Sequence, residues 1–532
     1  MSAFAPFLLH HLPQQAAQRT PQAAALISGK TTLNYAELCA QCDALAAHWL
    51  RAGLERGARI AIWLEKCPQA VAACFAASQA GAVFVPINPL LKPAQVRHIL
   101  QDSGAAVLVT SAARLPLLAA ELPACTQLQQ VLLTDAALPA SAPALPAHCA
   151  LHTYPAPAEA PPACAGQTEN DLSALLYTSG STGRPKGVML SHRNLIAGAA
   201  SVAQYLENRA DDCLLAALPL SFDAGFSQLT TAFSVGARVV LLNYLLPRDI
   251  VLACARHGVT GLTAVAPLWM QLAGLDWPSH SLRYFANTGG HLPRAVVQQL
   301  RARLAPARPV LMYGLTEAFR ATWLPPEEID RRPDSMGRAI PNAEILVLRA
   351  DGTPCAADEP GELVQRGPLV AQGYWNDAAR SAERFRPLPP ALAGSARGEI
   401  AVYSGDTVRM DAEGYCWFIG REDEMIKTSG YRVSPGEVEE ALYASALVRE
   451  CAAFGLPDAA LGQRIAVAVQ PAEDGADNVS AQLLAHCRAT LPAWMQPAHI
   501  ALYAAPLPRN ANGKIDRPAL RAALLDENAP QD

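Results

Sequence analysis

Residues 178–187 read TSGSTGRPKG, and they decide the architecture of the chain. They hold three glycines, four hydroxyl side chains, one arginine and one lysine. An apolar, strand-like run, ALLY at 174–177, leads into them, and residues 188–190 resume that character. A loop of small residues between two apolar strands presents backbone N–H groups and hydroxyls to whatever enters, because glycine lets the main chain approach closely. Lys186 adds a mobile positive charge. Thr178, Ser179, Gly180, Ser181, Thr182, Gly183 and Lys186 are therefore candidates to cradle a polyphosphate, with ATP the first ligand to consider.

A Walker-type loop would need G-x-x-x-x-G-K-[ST] opening into a helix. Here Lys186 follows Pro185 and precedes Gly187, and proline opposes the helical turn that wraps phosphates in that motif. A flexible Gly/Ser connector is the bland alternative, although linkers seldom lie between two apolar strands.

Around the loop, β-prone runs at 83–85, 106–109, 174–177, 239–242 and 310–312 alternate with helical stretches such as 93–101 and 193–205, the latter with Ser191 placed as its N-cap. That alternation predicts an α/β fold with largely parallel sheets in layers. Residues 136–166, dominated by alanine and proline, are expected to be an exposed, poorly ordered connection. Turn signals at 351–352 and 360–361 predict a small antiparallel, β-barrel-like piece, and residues 424–532 read as a compact α+β unit.

The whole chain of 532 residues is too long for one core, with 51% hydrophobic and 17% charged residues. A net charge of −5 leaves no nucleic-acid footprint. The 13 cysteines include one C-x-x-C pair, Cys39 and Cys42, inside a helical pattern and without a second pair at zinc spacing. They read as buried helix residues, and the odd, scattered count fits reduced thiols. The N-terminus lacks a signal peptide's basic and apolar regions, and no run reaches the length of a membrane span, so a cytoplasmic protein is expected.

Four further segments accompany the loop. They are Tyr313-Gly314-Leu315-Thr316-Glu317, Ser404-Gly405-Asp406, residues 420–432 (GREDEMIKTSGYR) and residues 508–516 (PRNANGKID). Singly, each has an ordinary alternative: a strand end with a helix cap, a turn, a solvated linker and a surface lysine. Together, in this order and across most of the chain, they resemble the AMP-forming adenylating superfamily, which includes acyl-CoA synthetases, luciferases and adenylation domains of nonribosomal peptide synthetases.

The resemblance implies a large N-terminal domain at 1–420, a hinge at 421–423 and a small mobile C-terminal domain at 424–532. It implies that Tyr313 packs on adenine, Thr316 meets phosphate, Glu317 holds Mg²⁺, and Asp406 and Arg421 contact ribose. Gly289 and Gly290 lie beside the adenine and acyl sites. Asp423 is the implied hinge, Lys427, Gly430 and Tyr431 the implied thioester-step segment, and Lys514 the implied catalytic lysine, assisted by Thr178, Lys186 and Glu317. The implied reaction converts a carboxylic acid and ATP to an acyl-adenylate and pyrophosphate, then passes the acyl group to CoA or to the phosphopantetheine of a separate carrier protein. A non-catalytic nucleotide-binding relative is the competing class, against which the intact Lys186, Glu317, Asp406 and Lys514 speak.

The acid is less legible. Phe222, Asp223 and Gly225 occupy the implied acyl pocket, where amino-acid-activating members pair an aspartate with the substrate ammonium. Asp223 is equally placed to be the N-cap of a helix beginning near Gly225. His291 stands where the superfamily has alanine or glutamate; it either reads a polar substrate group or fills space. Residues 219–247 and 313–326 also resemble acyl-CoA ligases associated with exosortase gene clusters.

Overall fold

The computed structural model describes residues 5–135, 138, 143, 145–156, 166–178, 185–392, 399–421, 424–428, 431–458, 461–473, 478–510 and 513–527. A nine-stranded sheet and a seven-stranded sheet form its bulk, with two five-stranded sheets following in the chain. In the nine-stranded sheet, Cys213–Ala216, Arg238–Leu241, Gly261–Val265, Tyr284–Thr288 and Arg308–Tyr313 run parallel. Strand order reverses at Cys213–Ala216, which has Arg238–Leu241 on one side and Gly261–Val265 on the other. A crevice beyond the carboxyl ends of parallel strands at such a reversal is where open α/β sheets place ligands.

Helices Pro68–Gln79, His192–Tyr205 and Asp223–Val235 share one core with both sheets, drawing in Ile60, Phe84 and Leu176 from one and Leu214, Val239 and Val310 from the other. Phe226 sits 4.7 Å from Phe84 and 5.9 Å from Phe75, ring centre to ring centre. Full burial of such a ring contributes about 1.5–3 kcal/mol. Buried on almost every side, Asp223–Val235 is held in place by both layers. Ser191 caps His192–Tyr205 reciprocally with Asn194.

The turns near 351 and 360 do join antiparallel strands. Glu344–Leu348, Gly361–Arg366, Phe385–Pro387, Ile400–Met410 and Cys416–Arg421 make an open ladder with Glu344–Leu348 at one edge. The next sheet, starting at Ile426–Thr428, packs helices Pro435–Ala444 and Val479–Thr490 into its own core. One expectation fails. Within 136–166, residues Ala150–Thr153 form an edge strand beside Gln130–Leu133. The β-prone LHT lies in a surround of alanine and proline, and pairing with an existing strand supplies order that composition conceals. Among the described residues, no helix is long and apolar enough to cross a membrane.

Candidate active site

Strands Leu172–Thr178 and Lys186–Ser191 pair antiparallel, setting Thr178 opposite Lys186. The Thr178 hydroxyl is buried without a hydrogen-bond partner, as expected of a group awaiting a ligand. Lys186 Nζ stands 3.3 Å from Glu317 Oε1 and donates to the Tyr374 hydroxyl at 2.8 Å, which in turn donates to Glu317 Oε1 at 2.6 Å. Burial alone would raise the Glu317 carboxyl, but the Lys186 ammonium and the Tyr374 hydroxyl outweigh it and hold it below its ordinary value. Burial lowers Lys186, against the pull of Glu317 and with the nearby Arg384 and Arg380 assisting. An ionised, partly open carboxylate is the oxygen donor a hard dication takes, so Glu317 fits a magnesium ion.

The turn after Arg308–Tyr313 carries Gly314, Leu315, Thr316 and Glu317, with Thr316 buried. A Cβ on Gly314 would lie 2.5 Å from the Phe319 carbonyl, so only glycine permits so tight a turn. The Tyr313 hydroxyl donates to Asp406, whose other oxygen is 2.9 Å from Arg421 Nε. Ser404 accepts from the Asp406 N–H at 3.0 Å and donates to the Leu363 carbonyl at 2.7 Å, as a threonine hydroxyl could. Burial raises the Asp406 carboxyl, with Arg421 and Tyr313 opposing.

Lys514 reaches the same crevice from the turn between strand His499–Leu502 and helix Arg517–Glu527. Its turn is tied by the bridge between Arg509 and Ile515, by Asn510 Oδ1 accepting from the Lys514 N–H at 3.1 Å, and by an Arg509–Glu450 ion pair. A Cβ on Gly289, which has φ 75°, would stand 3.5 Å from Lys514 Cε and 3.7 Å from the Phe222 ring. Burial, reinforced by Arg421, holds the Lys514 ammonium below its usual 10.5, against the pull of Asp223, Glu424 and Asp406. Gly290 lends its carbonyl to Asn287 Nδ2 at 2.8 Å.

The acyl-pocket residues fall differently from expectation. Asp223 caps no helix: the helix starts at Asp223 itself, and Phe222 is the N-cap. Its carboxylate pairs with Arg320 Nη1 at 2.8 Å, the two side chains being 4% and 3% exposed. Gly225 lies so close to the Pro219 carbonyl that a Cβ there would overlap it. His291 reaches another helix. Its Nε2 is 2.9 Å from Glu440 on helix Pro435–Ala444. Cys42 is buried in its helix, and Cys39 and Cys42 are both free. Residues 179–184, Asp423 and Gly430 lie outside the described residues, as do the side chains of Lys427 and Tyr431.

Tyr374 and Arg320 escaped the sequence reading. Tyr374 lies 57 residues beyond Glu317, and no local pattern links them. Arg320 did leave a signal: a cation inside the apolar run AFRATW requires a buried partner.

A family model described as AMP-binding enzyme matches residues 13–375, and one described as AMP-binding enzyme C-terminal domain matches 437–514. The chain belongs to the AMP-binding enzyme family. It is an AMP-forming ligase, of the class that activates a carboxylic acid as its adenylate and transfers it to a CoA or carrier thiol. It is 31% identical over 525 residues to the L-proline--[L-prolyl-carrier protein] ligase of Pseudomonas fluorescens, covering 96% of this chain and 98% of that one. A feruloyl-CoA synthase of Amycolatopsis is also 31% identical, covering 94% and 96%. Long relatives match in part. A linear gramicidin synthase chain of Brevibacillus parabrevis is 31% identical over 97% of this chain, which spans 6% of that relative's length. In fold the protein matches the anthranilate CoA ligase AuaEII solved with anthranoyl-AMP, with a TM-score of 0.86, 24% identity and 99% of each chain covered. o-Succinylbenzoate CoA synthetase from Bacillus subtilis, solved with ATP and a magnesium ion, matches at TM-score 0.79 and 26% identity, covering 96% and 99%.

Proposed function

We propose that residues 1–420 bind ATP and the acid, that residues 424–532 bring Lys514 to the reacting atoms, and that Asp423 is the hinge between them. The observation that carries this reading is the convergence of Lys514, from the turn before helix Arg517–Glu527, on the crevice shared by Gly289, Phe222 and the Asp406–Arg421 pair. Lys186 and Thr178 hold the β,γ-phosphates that leave as pyrophosphate. Asp406 accepts from ribose hydroxyls, with Tyr313 and Arg421 fixing its carboxylate. Lys514 lies between the acid's carboxylate and the α-phosphate, where its charge favours the crowded, negatively charged phosphorus of the transition state. Glu317 would hold a magnesium ion, which when bound neutralises charge on the leaving pyrophosphate. No protein nucleophile is required; positioning and charge carry the step.

Transfer to the thiol of CoA, or of a phosphopantetheine on a separate carrier protein, follows rotation about Asp423. The rotation withdraws Lys514, brings in the segment with Lys427, Gly430 and Tyr431, and breaks the His291–Glu440 contact.

The Arg320 pairing favours an acid without an α-ammonium. Asp223 already has its cation, and a second would bury uncompensated charge beside Lys514. The amino-acid reading retains the support of relatives, two L-proline--[L-prolyl-carrier protein] ligases among them. ATP–pyrophosphate exchange over amino, fatty and aryl acids tests the proposal. Exchange that survives Lys514→Ala removes the catalytic assignment, and exchange confined to amino acids removes the substrate assignment.

A further inference from the structure

Helix Asp223–Val235 buries four neutral polar side chains, Ser227, Gln228, Thr230 and Thr231, in otherwise apolar surroundings. Most are satisfied locally. Thr230 donates to the Ser227 carbonyl at 3.3 Å, and the Ser227 and Thr231 hydroxyls are 3.4 Å apart. Gln228 Nε2 donates to the carbonyls of Leu215 at 2.8 Å and Thr263 at 3.4 Å. Carbonyls only accept, so the amide nitrogen must face them and Oε1 must face away. That oxygen has no partner. Arg320 uses Nη1 for both Asp223 and the Phe319 carbonyl, while its buried Nε is likewise without a partner.

The two residues that carry these groups line one cavity of about 20 Å³ between this helix and the nine-stranded sheet, together with Ser227, Thr231, Thr263 and Tyr284 among others. Gln228 is 6% exposed and Arg320 3%. The space admits a small group, on the order of one water-sized centre. It offers one donor and one acceptor, each of which is costly to leave unmade in a buried site. Charge decides what kind of group fits. Arg320 is matched one to one by Asp223, so a distal carboxylate or ammonium would leave a net buried charge, whereas a neutral group would not.

We infer that this cavity receives a neutral hydroxyl or carboxamide carried by the acid at its end remote from the reacting carboxylate, accepting from Arg320 Nε and donating to Gln228 Oε1. The inference rests on the proposed reading of the crevice as the place where the acid is adenylated, and it names Gln228 and Arg320 as the residues that set specificity.

The test is ATP–pyrophosphate exchange with the full chain, using unbranched acids of three to six carbons that end in methyl, hydroxyl, carboxamide, carboxylate or ammonium. At the best length, the hydroxyl- or carboxamide-ended acid is expected to exceed its methyl-ended counterpart by at least about tenfold in kcat/KM. Gln228→Leu is expected to bring that ratio close to unity. If Gln228→Leu does not fold, Gln228→Met carries the same expectation. A preference for methyl-, carboxylate- or ammonium-ended acids overturns the inference, as does a ratio unmoved by the variant, which would make the cavity a seat for water alone. Absence of exchange with every acid of this series overturns the inference, and absence with amino, fatty and aryl acids as well overturns the proposed function.

Discussion

Lys186 and Glu317, at the proposed phosphate end of the crevice, stand 3.3 Å apart with side chains 21% and 15% exposed. Arg320 and Asp223, at the proposed acyl end, stand 2.8 Å apart with side chains 3% and 4% exposed. Both are cation–carboxylate pairs on the same large unit, yet water reaches only the first. A partly solvated pair can trade its partner for an incoming phosphate or metal ion, because solvent softens the exchange. A sealed pair cannot, since separating it strands a charge in low dielectric. The first pair is thus suited to handle changing charge, and the second to form a fixed wall against which an acid is measured.

The largest effect should come from breaking the wall. Arg320→Met leaves the Asp223 carboxylate buried and unpaired, and is expected to lower unfolding stability by about 3–5 kcal/mol. Lys186→Met should cost less than about 1 kcal/mol of stability while severely impairing exchange. Urea denaturation of both variants checks this, and equal losses would erase the distinction between the two ends.

Next in size, Lys514→Ala is expected to lower pyrophosphate exchange by about 10²–10³-fold, the scale of removing one preorganised charge from a developing anion. ATP affinity, measured by titration, should change only a few-fold. Because burial holds the Lys514 ammonium below 10.5, the wild-type rate should fall on the alkaline side at a lower pH than an ordinary lysine would give. The sign follows from the charged form being the active one: raising the pH removes the proton earlier from a depressed group. Lys514→Arg should abolish that limb of the profile.

A smaller loss is expected of Tyr374→Phe, which removes the hydroxyl linking Lys186 to Glu317. Hydrogen bonds to charged groups are worth about 1.5–3 kcal/mol, so kcat/KM should drop by about tenfold or more, with a higher magnesium requirement. An unchanged magnesium requirement would separate Tyr374 from the carboxylate proposed to hold the metal. Smallest of all, His291→Ala removes an exposed contact with Glu440 and should alter exchange and thioester formation by no more than about fivefold. A large loss of exchange alone would place His291 on the substrate after all.

Much of this was legible in the chain itself. The alternation of apolar runs and helical patterns specified parallel layers, and Ser191 marked a helix start that the structure repeats with Asn194. The edge strand at Ala150–Thr153 was not legible, because a short strand that pairs only by joining a preformed neighbour has no strong signal of its own. Asp223 shows the same limit in the site. Local sequence allowed a cap or an ammonium receptor, and neither took into account an arginine 97 residues away.

The candidates for the proposed phosphate end were therefore named by sequence alone. A glycine- and hydroxyl-rich loop with a lysine between two strands has few other uses, and the short motifs at Tyr313, Ser404 and Lys514 carry their own donors and acceptors within a few residues. Which groups meet at the proposed acyl end was decided only by the tertiary structure. The pairing of Asp223 with Arg320, the outward turn of Gln228 Oε1 and the reach of His291 to Glu440 depend on contacts between distant segments. Burial of a charge or an amide is a property of packing, and no local pattern encodes it.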